Sequence, residues 1–167
     1  MDTSNFLLRL LQVKEKPGEL PIIRRKEHLN IVENAVIIDH AEQIFHYAAI
    51  FNEPSIIEYL LDRYNLNPNS SPGQGHSTYI YCCMFRCIEV ILAFFERNLF
   101  PENWYVFFLF SNIFGDESMM YYVLRFYRDK VKLQHHELVD LERLAVSPIL
   151  KQYCQEKLSV DKAITSK

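Results

Sequence analysis

The chain has 167 residues, of which 49% are hydrophobic and 4 are glycine, with a formal net charge of -3. This size suits one domain, or one short array of repeats, with a real core, and the apolar content excludes a disordered chain. A weakly acidic balance is a poor match for nucleic acid as the main partner.

The opening MDTSNFLLRLL carries an acidic residue where a secretory leader carries basic ones, and no cleavage-site pattern follows it. The expectation is a cytoplasmic protein. Phe6, Leu7, Leu10 and Leu11 share one stripe, which predicts a helix over residues 5–13 stopped by Pro17 and Gly18. Arg24, Arg25 and Lys26, flanked by Glu19 and Glu27, read as a solvated basic cluster. A second helix is predicted over 26–37 on Ile31, Val32, Ala35 and Val36, with a short strand through Ala35 to Ile38 as the alternative.

The stretch from Ile44 to Asn69 describes a helical hairpin. Its first helix spans Gln43 to Phe51, where the small pair Ala48 and Ala49 lets a neighbour approach closely. Asn52, Glu53 and Pro54 form the turn, and Pro is tolerated because the first turn of a helix leaves its N–H groups unpaired. The second helix, Ser55 to Tyr64, returns antiparallel. Further on, the most apolar window, Tyr79 to Phe95, is broken by Arg86 and Glu89. It falls short of the roughly 20 residues a membrane helix needs, so no membrane insertion is expected. Cys82, Cys83 and Cys87 crowd one helical run and Cys154 stands apart, a poor layout for a disulfide framework; reduced, buried thiols are expected.

The hairpin pattern returns. Ile56, Ile57, Leu60, Leu61 and Tyr64 align with Cys87, Ile88, Ile91, Leu92 and Phe95, then with Met119, Met120, Val123, Leu124 and Tyr127, at spacings of 31 and 32. IFNEPSIIEYLLDRY aligns without a gap on IFGDESMMYYVLRFY. A weaker fourth copy runs through Ile149, Leu150, Tyr153 and Cys154, with Lys157 at its fifth position. A period in the low thirties is the signature of stacked helical hairpins, and a polar position in the last copy suits a capping unit.

These residues resemble an ankyrin repeat. Phe45 and His46 stand at the family's Leu-His positions, with Ala48 and Ala49 following. Ile56 and Ile57 match its branched pair, Leu60 and Leu61 its leucine pair, and Asn67, Pro68 and Asn69 its closing loop. The departures are Asn52 in place of the usual turn glycine (Gly115 keeps it in the third copy), the missing Thr-Pro, and shortened turns in the second and fourth copies. The fold class expected is all-α, a short ankyrin-like solenoid. It comprises an N-terminal helical cap over 1–38, repeats over 39–157 (39–70, 71–102, 103–134 and 135–157) and a loose tail over 158–167. The resemblance further implies that His46 orders neighbouring backbone. Divergent motifs, few glycines and compact size are similar to ankyrin-like proteins that intracellular pathogens, bacterial or viral, direct at host proteins.

Chemistry has little to stand on in this sequence. Cys82, Cys83 and Cys87 with His76 are the nearest approach to a zinc set, but they lack Cys-x-x-Cys loops, so no metal or cofactor is expected. His135 and His136 read as a solvated turn. No phosphate loop, carboxylate pair or nucleophile elbow is present, so catalysis is not expected. The alternative is a small cysteine-dependent enzyme using Cys82 or Cys83 with His46 or His76. The preferred reading is a non-catalytic module binding another protein through the loop from Asn65 to Ser77, the loop around Phe100 to Trp104 and the exposed side of the first helices. Asn69, Gln74, His76, Tyr79, Glu102, Trp104 and Tyr105 are the candidate contacts. Most aromatic residues are expected to pack between hairpins, and Trp104, at the entrance to the third copy, is the first choice of exposed anchor, with a buried tryptophan as the other reading.

Overall fold

The computed structural model describes residues 41–71, 75–114 and 117–165. The two helices predicted before residue 38, the N-terminal cap, the basic cluster, Gln74 and Gly115 lie outside them. Among the described residues the chain is all-helical and contains no strand. No helix among the described residues is long and apolar enough to cross a membrane.

The helices are α1 (Ala41–Ile50), α2 (Pro54–Arg63), α3 (Thr78–Met84), α4 (Ile88–Glu96), α5 (Trp104–Ile113), α6 (Glu117–Phe126), α7 (His135–Leu144) and α8 (Pro148–Thr165), with a 3-10 turn at Arg128–Lys130. Local chemistry sets their ends. Ser77 and Asn103 cap α3 and α5 by accepting from the Ile80 and Val106 N–H groups. Gln134 and Glu137 close a capping box on α7. Helix α4 ends with Asn98 in the left-handed region (φ 59), its N–H donating to the Phe95 carbonyl while the Leu99 N–H reaches Phe94. This is the double bond of a Schellman close.

Each odd-numbered helix pairs with the even-numbered helix that follows it, and α1 packs on α3, α3 on α5 and α5 on α7. The even-numbered helices form the other layer, α2 against α4 and α6 against α8. Between the layers lies an aromatic core in which Tyr79 meets Phe94 at 5.2 Å and Phe107 at 5.9 Å, and Phe95 meets Tyr127 at 4.9 Å, all edge-on. Edge-to-face rings contribute about 0.5–1.5 kcal/mol each beyond the area they bury.

The hairpins align differently from the spacing read in the sequence. Glu53 N–H donates to the Ala48 carbonyl, and Cys87 N–H donates to Cys82 in the same way. Asn52 (φ 53) and Arg86 (φ 54) are the matching left-handed turn residues. The partners of Ile56, Ile57 and Leu60 are therefore Val90, Ile91 and Phe94, all six fully buried, and not Cys87, Ile88 and Ile91. This three-residue correction removes the shortened turn assigned to the second copy, because Cys82 and Cys83 now fall on Ala48 and Ala49, and Ser111 and Asn112 follow on α5. Cys87 is the residue before α4, its thiol donating to the Ile50 carbonyl at 3.3 Å. At the other end of the chain, α8 continues past Leu158, where a loose tail is expected, as far as Thr165.

Candidate protein-binding surface

The candidate surface lies on the odd-numbered helices and the loops that lead into them. Asn69, in the first of these loops, donates through Nδ2 to the Phe100 carbonyl at 3.0 Å, and its Oδ1 accepts from the Glu102 N–H at 3.0 Å. It thereby holds two successive loops side by side. With Ser77, Tyr79, Glu102, Asn103 and Val106 it lines a groove of about 240 Å³. Glu102 also lines a neighbouring groove of about 450 Å³ with Trp104, Asp129, Lys130 and Lys132. The structure thus brings Asn69, Tyr79, Glu102 and Trp104 together along one edge.

Two of these expected contacts are core residues, a correction to their reading as partner anchors. Tyr79 is 1% exposed and Trp104 4%. Tyr79 donates its hydroxyl to the Leu99 carbonyl, and Trp104 stacks on Phe108 at 5.9 Å and stands edge-on to Phe95 at 5.8 Å. Burying an indole in contact with three or more rings removes far more apolar area than an exposed position would. Tyr105 is half-buried and donates to Asp140 at 2.6 Å, which raises the Tyr105 hydroxyl and, with Arg143, holds the Asp140 carboxyl below its ordinary range. Glu102 and His76 are exposed.

His76 joins a line of rings that the sequence reading missed. Its imidazole lies 6.0 Å from Tyr81 and 5.4 Å from Phe110, both edge-on. His46 continues the line, 5.0 Å from Tyr81 and 5.9 Å from Tyr47. Tyr47, Tyr81 and Phe110 occupy the same position on α1, α3 and α5. Beside them Phe85 and Ile113 are 56% and 63% exposed. The signal was present in the sequence, since Tyr47, Tyr81 and Phe110 stand one residue before the paired small positions Ala48, Cys82 and Ser111. The slipped register of the second copy concealed it.

His46 and the cysteines face inward, whereas His135 is exposed. His46 Nδ1 lies 3.1 Å from Thr78 Oγ1, and burial lowers the imidazole's proton affinity. Cys82 and Cys83 are fully buried, and burial, with a bond to Cys87, pushes the Cys82 thiol well up. A thiol held protonated and closed to solvent is a poor nucleophile. His135 opens α7 and lies 3.3 Å from Asp161 on α8. Among the described residues no group of three or more His, Cys, Asp or Glu side chains is placed to hold a metal ion.

None of the family models, curated proteins or solved structures compared with the chain matches it.

Proposed function

We propose that the chain is a non-catalytic protein-binding module, an ankyrin-like solenoid of four hairpins that binds and regulates a partner protein through its first-helix face. The single observation that carries this reading is the ring line Tyr47, Tyr81, His76 and Phe110, joined from beneath by the buried His46, which crosses three hairpins beside the exposed Phe85 and Ile113. Arrays of stacked hairpins offer extended surfaces of this kind, and aromatic residues dominate binding energetics on them. The two loop grooves, which meet at Glu102, add polar surface at the loops leading into the first helices. Four buried thiols fit a reducing compartment such as the cytoplasm.

Site-specific photo-crosslinking tests the reading. A photoreactive residue replacing Phe85 or Ile113 should trap one protein from a cell lysate, and unlabelled chain should compete for it. The same residue at Glu58 or Lys151, exposed on α2 and α8, should not trap it. Equal trapping from both layers would reject the assignment.

A further inference from the structure

Helix α6 has two faces. Met119, Met120, Val123 and Leu124 are buried, whereas Tyr121, Tyr122 and Phe126 are 48%, 42% and 61% exposed. The exposed rings touch one another, Tyr122 stacked on Phe126 at 5.8 Å and edge-on to Tyr121 at 6.0 Å. On the same side stand Glu117 at the start of the helix and Arg125 in its last turn, both exposed. Neither takes part in an ion pair or side-chain hydrogen bond among the described residues.

Glu117, Tyr121 and Arg125 are four residues apart and so form one stripe about 12 Å long, with the tyrosine at its midpoint. Such a stripe is its own complement under reversal. A two-fold axis through Tyr121 lays a second α6 antiparallel on the first, with Glu117 of each copy opposite Arg125 of the other. A parallel arrangement would instead oppose like charges. We propose that this face of α6 is an isologous interface with a second copy of this chain, with Tyr121 at its centre, flanked by Tyr122, and closed at both ends by Glu117–Arg125 pairs. Tyr121 and Tyr122, each nearly half exposed, supply on the order of 200 Å² per copy. Standard interfaces bury about 800 Å² per partner, so the dimer is weak and depends on concentration.

Sedimentation equilibrium of the full chain over a concentration series tests this. The wild type should move reversibly from one chain mass toward two. Glu117→Arg and Arg125→Glu should each weaken association at least tenfold, and the double exchange E117R/R125E should restore it to within about threefold. Tyr121→Ser should weaken it in both charge backgrounds. All these positions are exposed, so an unchanged unfolding midpoint serves as the folding control. A chain that stays monomeric up to about 1 mM, a dimer indifferent to Glu117→Arg, or a double exchange that fails to rescue would each overturn the proposal.

Discussion

Asn112 on α5 and Val146 in the α7–α8 turn tie two hairpins together through one amide. Its Oδ1 accepts from the Val146 N–H at 2.9 Å while its Nδ2 donates to the Leu144 carbonyl at 3.0 Å. Asn112 is 8% exposed, so truncation leaves backbone groups without partners in a largely closed site. Asn112→Ala should cost about 1–3 kcal/mol in denaturant unfolding. Asn52, in the turn of the first hairpin, bridges to the second hairpin in a similar way, accepting from the Val90 N–H at 3.3 Å and donating to Glu89.

The stability of the chain should fall in mild acid through His46. Burial lowers its folded pKa below the ordinary 6.5, so below that pH the unfolded chain binds the extra proton first. The neutral-imidazole contribution is complete above about pH 6.5 and is lost as pH falls through the folded value. Thermal midpoints measured from pH 7 to pH 5 should drop more steeply for the wild type than for His46→Gln.

Arg86 separates two opposing effects in one residue. It sits in the left-handed region, where a side chain costs roughly 1–2 kcal/mol, and its Nε donates to the Phe114 carbonyl at 2.9 Å. Arg86→Ala keeps the strain and loses the bond, and should destabilise by about 1 kcal/mol. Arg86→Gly removes both, and should be at least as stable as the alanine variant and close to wild type.

Trp104 should behave as a core residue. Trp104→Ala should lower stability by about 3–5 kcal/mol, whereas Phe85→Glu and Ile113→Glu, at positions more than half exposed, should change it by about 0.5 kcal/mol or less. Parallel thermal melts of the three variants check both expectations.

The thiols should react only on opening. Burial, with a smaller contribution from Glu142, raises the Cys154 thiol to about 11, and Cys82 is pushed up by its own burial. Alkylation at pH 8 should be slow in the native state and rise steeply with denaturant. Rapid native-state modification of Cys82 or Cys83 would revive the cysteine-enzyme alternative.

What the sequence made legible follows from which signals are local. The helical hairpin at residues 44–64 was readable because Ala48, Ala49, Pro54 and the Ile-Ile and Leu-Leu pairs all act within one turn of their own backbone. The alignment of the second hairpin was not, because α4 is hydrophobic nearly all round. Ile88, Val90, Ile91, Phe94 and Phe95 fit an apolar stripe in either register, and only the turn hydrogen bonds decide between them. The fates of Tyr79 and Trp104 depend on side chains from other hairpins, which spacing along the chain does not report. Asn69 fastens Phe100 and Glu102 across adjacent loops, a role that its position in the first loop did not report.

The central claim is that the first-helix face captures a protein, and calorimetric titration of the photo-crosslinked partner into purified variants tests it most directly. F85E/I113E should weaken binding at least a hundredfold, with Glu58→Lys on the opposite layer unchanged and all variants melting as the wild type does. Equal affinity of F85E/I113E and the wild type would contradict the account.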